Sequence, residues 1–291
     1  MGLCTAGPYP LYTLIPLYPY TLIPLSRYSR ISLNCPFNRL KVLRGIFSTL
    51  YKIWVFLVFT VFMIILLPGI ILPFLFGQRA GWVSYRFLAL WSWIFSKLNF
   101  IHYRFIGREN FVRGRACIYV SNHTSFLDIP GITMNIPGQF RPLAKKELLK
   151  IPIFGWIARS ASVIVDRSNP KSRKASMDRL KKILNMGISI LIFAEGTQNR
   201  TKELLQPFKD GAFRMAIDTR KPILPMVVIG AAPLMPPGTI DLKPGIITIV
   251  TGKEIPTEGL TADDVQALKE RTFGVMKGMI EGNSSSRNKA Q

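Results

Sequence analysis

Residues 116–128 read ACIYVSNHTSFLD. Five residues dominated by Ile118, Tyr119 and Val120 form a short apolar run of the kind that makes a buried strand. Ser121, Asn122, Thr124 and Ser125 follow, small polar residues that favour turns and helix caps over strand continuation. Phe126 and Leu127 then open a helical pattern near 125–135. A strand that runs through a polar turn into a helix is the unit of an α/β layer fold.

Outward from this stretch the same alternation recurs. Strands are predicted at 101–106 (IHYRFI), 116–120, 161–165 (ASVIV), 188–193 (ISILIF), 223–229 (ILPMVVI) and 246–250 (IITIV). Helices are predicted near 125–135, 171–186 and 209–219. A last helix starts at Thr261, with Asp264 as its capping-box partner. The expected fold is therefore α/β, with a mostly parallel central sheet flanked by helices. Such sheets hold their ligands beyond the carboxyl ends of the strands, which directs attention to the residues after 120, 165 and 193.

His123 follows the strand 116–120 directly, and Asp128 lies five positions on. A carboxylate on one imidazole nitrogen fixes the tautomer and makes the other nitrogen a better base. No protein nucleophile accompanies the pair, so the arrangement suits attack by a substrate hydroxyl on an acyl carbonyl. The alternative is a capping Ser or Asn beside a histidine satisfied by local hydrogen bonds. A second candidate site, FAEGTQNR (193–200), follows the strand 188–193. There Gly196 permits a tight turn, Thr197 and free backbone N–H groups can hold an anion, and Arg200 adds charge. Asp166 and Arg167 follow the strand 161–165, and Lys145 and Lys146 lie upstream. Between residues 139 and 182 there are 12 basic and three acidic side chains, so these strand ends suit a phosphate-bearing substrate.

The chain has 291 residues, 38 Lys or Arg against 16 Asp or Glu, and a net charge of +22. A balance this basic points to a polyanion, either nucleic acid or an anionic lipid surface. No acidic residue precedes Glu109, and the 11 basic residues before it flank an uncharged apolar block, Ile53 to Gln78. Cations beside an apolar block favour the lipid reading, at roughly 1 kcal/mol each near anionic headgroups. About 20 apolar residues suffice to cross a bilayer, but Pro68, Gly69 and Pro73 interrupt this run. A second stretch, Trp82 to Phe100, interleaves aromatic with basic residues, as interfacial segments do. A re-entrant hairpin turning at Pro68–Pro73 is expected, with its basic flank in the cytosol. The three cysteines, Cys4, Cys35 and Cys117, have no paired or metal-like spacing, and two histidines cannot build a His-rich metal site. YTLIPL occurs at 12–17 and again at 20–25; no chemistry is assigned to it.

Four blocks in order resemble the glycerolipid acyltransferase family that includes the 1-acyl-sn-glycerol-3-phosphate acyltransferases. NHTSFLD (122–128) resembles its NHxxxxD block. VIVDR (163–167) resembles a block ending in Asp-Arg, FAEGTQNR (193–200) resembles FPEGTRSR, and KPILPMVV (221–228) resembles an apolar proline block. The resemblance spans about residues 100–250. It implies transfer of a fatty acyl group from acyl-CoA or acyl-ACP to the sn-2 hydroxyl of lysophosphatidate, giving phosphatidate in phospholipid biosynthesis. His123 would be the base and Asp128 its partner. Asn122, Lys146, Arg167, Glu195, Gly196, Thr197 and Arg200 would bind or shape the substrate site. No metal and no cofactor beyond the acyl donor is implied.

Two departures stand out: Ala194 replaces a proline, and Gln198 replaces an arginine that grips phosphate. The second leaves room for another lysolipid acceptor, a lyso-ornithine lipid or a lysophospholipid. Outside enzymes, the remaining reading is a non-catalytic basic protein of the same fold bound to membrane or nucleic acid. The expected partners are the membrane lipid, the acyl donor, an anionic membrane surface and, for an acyl-ACP donor, the carrier protein; nucleic acid is not expected. The catalytic domain would face the cytosol, on a bacterial inner membrane or a eukaryotic ER or organelle membrane. The expected organisation is a basic, Pro-rich, poorly ordered leader (1–52), a membrane-embedded helical arm (53–100), the acyltransferase domain (101–282) and a flexible tail (283–291).

Overall fold

The apolar runs at 118–121, 189–193 and 223–229 become strands buried on both faces. The structure is a computed structural model that describes residues 36–112 and 114–288. The YTLIPL repeat, Cys4 and Cys35 lie outside the described residues. The chain divides into residues 1–48 and 49–291; the sheet, the core and the cavity belong to the second unit.

In chain order the elements are α1 (Pro36–Leu75), α2 (Gly81–Leu98), β1 (Ile101–Ile106), β2 (Ile118–Ser121), α3 (Asp128–Asn135), β3 (Phe140–Lys145), α4 (Phe154–Ala161), β4 (Val163–Val165), α5 (Pro170–Asn185), β5 (Ser189–Phe193), α6 (Gly211–Thr219), β6 (Ile223–Ile229), α7 (Ala231–Leu234), β7 (Gly245–Thr251) and α8 (Val265–Asn288). The seven strands form one sheet in the order β1-β7-β6-β2-β5-β3-β4. Only the β6–β7 pair is antiparallel, so the sheet is mostly parallel, as expected. The parallel pairing brings the carboxyl ends of β2, β3, β4 and β5 to one edge.

Side chains alternate between two apolar layers, as strand geometry requires. Ile118, Val120, Ile190 and Ile192 enter the layer shared with α5, α6 and α8. Tyr119, Leu191 and Phe193 enter the layer shared with α1, α2 and α3. Local signals agree with this packing. Asn169 caps α5 by accepting from the Lys171 and Ser172 backbone N–H groups, with Pro170 in the first turn. Thr261 and Asp264 form the reciprocal capping box ahead of α8.

The apolar arm differs from the expectation. α1 begins at Pro36, inside the stretch read as a poorly ordered leader, and runs unbroken through Pro68 and Pro73. The turn of the hairpin is Phe76–Ala80, with a short 3₁₀ segment at Gln78–Ala80. A proline removes one helical hydrogen bond, and side-chain packing along α1 holds the helix together across it. Gly69 serves contact, not turning: a Cβ there would lie 2.5 Å from the Phe87 ring of α2. The partners confirm an antiparallel pair, with Tyr51 donating to the Asn99 carbonyl (2.8 Å) and Trp91 to the Phe59 carbonyl (3.4 Å). The chain end also differs, since α8 continues to Asn288 through most of the expected tail.

Three elements had no sequence signal strong enough to predict them, among them α7, which is only four residues long. β3 (FRPLAK) carries Arg, Pro and Lys yet lies between β5 and β4. α4 (FGWIARSA) is eight residues long and follows Ile153, which holds a left-handed φ of 65°.

Candidate active site

The polar turn after β2 is a dense local network. Asp128 is fully buried at the start of α3. Its Oδ2 accepts from His123 Nδ1 at 2.8 Å, from the Thr124 N–H at 2.6 Å and from the Ser125 N–H at 2.9 Å. These bonds fix the carboxylate and commit Nδ1 of the imidazole to it, which leaves Nε2 to receive a proton from a substrate. The imidazole also stacks on Phe193, the last residue of β5, with ring centres 4.0 Å apart. Ser125 Oγ donates to the Met235 carbonyl at 2.7 Å, tying the turn to the segment after α7.

Glu195 supports this turn from the neighbouring strand end. It is 2% exposed, and its carboxylate accepts from the backbone N–H groups of His123 and Gln206, both at 3.0 Å. Burial pushes its carboxyl pKa up, against the lowering effect of these two donors. The Asn199 N–H closes the connection by donating to the His123 carbonyl at 2.6 Å. Gly196, with φ of 76°, makes the turn that sends Thr197 to the surface.

A cavity of about 620 Å³ opens beside His123. Its polar lining comes from the strand ends: His123, Lys145, Arg167, Thr197, Gln198 and Arg200. Its apolar walls come from the α1–α2 hairpin (Met63, Tyr85, Leu88, Trp91), from β3 and β5, and from α4 (Ile157, Ala158). Arg167 donates from Nη1 to the Gly196 carbonyl, which couples the β4 and β5 ends. Burial presses the Arg167 pKa downward, and the charge of Glu147 opposes that. The cavity thus joins a polar, cationic end to an apolar chamber.

The predicted site residues sort into three groups. His123, Arg167, Gly196, Thr197 and Arg200 line the cavity together. Asn122, Asp128 and Glu195 do not line it. Both amide atoms of Asn122 are spent on β6, donating to the Val228 carbonyl at 3.0 Å and accepting its N–H at 2.8 Å, so it bridges strands. Lys146 also stays out of the lining and pairs with Asp166, while its neighbour Lys145 lines the cavity. Sequence reasoning missed Phe193, Gln206 and the hairpin wall. Phe193 carried a signal, since it is the strand residue immediately before AEGT. Tyr85 and Trp91 carried none beyond helical spacing.

The acyltransferase family model matches residues 102–229. Human 1-acyl-sn-glycerol-3-phosphate acyltransferase alpha is 34% identical over 167 residues, 57% of this chain and 59% of that protein. The 1-acyl-sn-glycerol-3-phosphate acyltransferase of Cocos nucifera is 34% identical over 204 residues, 69% of this chain and 63% of that one. The chain thus spans less than two thirds of the length of these relatives. The crystal structure of the 1-acyl-sn-glycerophosphate (LPA) acyltransferase PlsC from Thermotoga maritima superposes with a TM-score of 0.70 at 25% identity, covering 83% of this chain and 98% of that one.

Proposed function

Since residues 102–229 belong to the acyltransferase family, we propose that this protein transfers a fatty acyl group from acyl-CoA or acyl-ACP to the sn-2 hydroxyl of lysophosphatidate, forming phosphatidate. The observation that carries the proposal is the His123–Asp128 pair, 2.8 Å apart, at the cationic end of a cavity with apolar walls.

The chemistry follows from that arrangement. His123 Nε2 removes the proton of the acceptor hydroxyl as its oxygen attacks the thioester carbonyl. Asp128 holds the imidazole in the accepting tautomer and stabilises the imidazolium. The tetrahedral adduct expels the thiolate, which takes the proton back from His123, so no proton is gained or lost overall. A general base of this kind contributes about 10²–10⁴-fold, and alignment of the two substrates supplies much of the remainder. Arg167 and Arg200 receive the acceptor phosphate, and the apolar chamber receives an acyl chain.

Gln198 favours a second reading of the acceptor. It lines the cavity and can donate hydrogen bonds, but it brings no charge where a phosphomonoester would draw a guanidinium. A zwitterionic lysophospholipid or lyso-ornithine lipid needs less positive charge there. An acceptor panel with labelled acyl-CoA and acyl-ACP decides between them. Lysophosphatidate should give the highest kcat/KM; preference for a lysolipid without a phosphomonoester would replace this reading with the second, and no transfer to any acceptor would refute both.

Membrane association is part of the proposal. Gly45–Leu75 is the one helix among the described residues long and apolar enough to cross a membrane. Beyond residue 48 its outward side carries Ile53, Phe56, Leu57, Ile64 and Ile65, all exposed, and α2 adds Trp82 and Trp93. Exposed apolar faces of this extent mark contact with lipid or a partner. An arm seated in the cytosolic leaflet would let the lysolipid enter laterally while the thioester donor arrives from the cytosol. Vesicle flotation at high salt checks this: release of the protein by salt alone would mean that charge, not the apolar face, holds it.

A further inference from the structure

β3 carries a charge in the interior of the fold. Arg141 is 1% exposed, and among the described residues no carboxylate pairs with it. Its guanidinium donates only to neutral acceptors: Nε to Gln78 Oε1 (3.1 Å), Nη2 to the Gln78 carbonyl (2.9 Å) and Gln139 Oε1 (3.1 Å), and Nη1 to the Phe140 carbonyl (3.0 Å). It also sits 4.9 Å from the Phe74 ring centre and 5.6 Å from that of Tyr85. Desolvation lowers its pKa, the cost that a buried charge carries. A planar fork with five donors can serve these acceptors together, whereas the ammonium of a lysine cannot.

Two of these contacts go directly to the 76–81 turn of the hairpin, and a third reaches it through Gln139. Gln78 receives two of the bonds, and Gln139 donates in turn to the Arg79 carbonyl at 3.1 Å. Gly81 starts α2 against the same group: a Cβ there would lie 2.6 Å from Arg141 Nη2 and 2.5 Å from Gln139 Oε1. From the turn the contacts continue to the cavity. Tyr85 packs on Phe140 with ring centres 4.7 Å apart and donates to the Ala161 carbonyl at 3.1 Å, and Tyr85, Phe140 and Ala161 all line the cavity.

We propose that Arg141 is a positioning residue for acyl-chain selection: by bolting the hairpin turn to β3 it fixes the distance between the hairpin wall and the sheet, and so the chain lengths that the cavity accepts. The proposal rests on the reading that this cavity holds an acyl chain. It assigns Arg141 no contact with substrate.

Two measurements on the full chain, reconstituted in amphipol, test it. One is displacement of a fluorescent fatty acid by saturated fatty acids of graded length, which needs no turnover. The other is kcat/KM for acyl-CoAs of the same lengths at saturating lysophosphatidate. Arg141→Met and Gly81→Ala should each change the ratio of longest- to shortest-chain affinity by about tenfold, the scale on which apolar pockets discriminate by size. The acceptor KM should stay within about twofold, because the cationic end is untouched. The double variant should shift no further than either single one, because both act through one contact. Arg141→Lys should resemble Arg141→Met.

A uniform loss across all chain lengths, a Lys variant with the wild-type profile, or additive shifts in the double variant would each overturn the proposal. Near-UV circular dichroism establishes that each variant is folded. Should Arg141→Met not fold, Gln78→Ala and Gly81→Ala decide, and an unchanged profile in both is fatal. If no acyl-CoA supports transfer but the displacement profile shifts as described, the functional reading fails while the role of Arg141 stands.

Discussion

The turn after β2 and the α1–α2 hairpin face the same cavity, but different forces hold them. In the turn, four consecutive residues are tied by short polar contacts. Asp128 gathers three donors on one oxygen, Asn122 spans to β6, and Glu195 anchors the His123 backbone. Such directional bonds fix atoms closely, as proton transfer requires. The hairpin is held mainly by apolar packing around Val58, Met63, Ile70 and Trp91, with Arg141 as its main polar fastening to the sheet. Packing constrains volume more than direction. One wall of the cavity therefore fixes direction and the other fixes volume.

The largest expected effect strikes the turn alone. His123→Ala should lower kcat by about 10²–10⁴-fold, the range for a lost general base, while binding of vesicles and the far-UV spectrum stay unchanged. Asp128→Asn should approach it, because the amide no longer stabilises an imidazolium. Radiolabelled transfer assays read both, and a kcat within twofold of wild type for His123→Ala would end the contrast between the two walls.

A smaller effect separates the cationic end from both. Arg167→Ala should raise the acceptor KM about tenfold, equivalent to about 1.4 kcal/mol, with the donor KM nearly constant. Equal changes in both would mean that Arg167 only braces Gly196.

The polar network should also leave a mark on stability against pH. Burial raises the Glu195 pKa above the ordinary value of about 4.3. The folded state then binds this proton more tightly than the unfolded state. The contribution is fully present below the unfolded pKa and is lost as pH rises through the folded one. Glu195→Gln should flatten that decline in Tm on the acid side of neutrality, measured by scanning calorimetry at a series of pH values. An equally steep decline in the variant would assign it to another group.

The smallest effect on the fold belongs to the outer face of the hairpin. Ile65→Lys should change stability by no more than about 0.5 kcal/mol, as substitutions at exposed positions do, yet weaken flotation with vesicles. Loss of stability without loss of flotation would show that this face packs against protein.

Much of the site was legible because it is local. Asp128 lies five positions from His123, and the bonds that join them close within one turn. Glu195 and Arg167 lie two residues beyond the strands β5 and β4, with Arg200 further along the loop after β5, and a parallel sheet sends such positions to one edge. Asn122 and Lys146 do not line the cavity, because a polar residue near a strand end can face its neighbours. Asn122 satisfies β6, and Lys146 meets Asp166. β3 was hidden because Arg141, Pro142 and Lys145 break the apolar pattern, and its place is set by pairing with β5 and β4. The hairpin turn was misplaced because Pro68, Gly69 and Pro73 look like breaks, whereas Gly69 exists to admit Phe87.

The sequence by itself determined the α/β alternation, the parallel sheet and the hydrogen-bonded pair His123 and Asp128, since strand periodicity and short-range hydrogen bonds act between near neighbours in the chain. Only the tertiary structure decided where the hairpin turns, that β3 joins the sheet, and that Arg141 is buried among the neutral acceptors of Gln78, Gln139 and Phe140. Those outcomes depend on contacts between segments from about 20 to about 60 residues apart, where packing and desolvation are settled by whatever the fold brings alongside, and no local pattern records them.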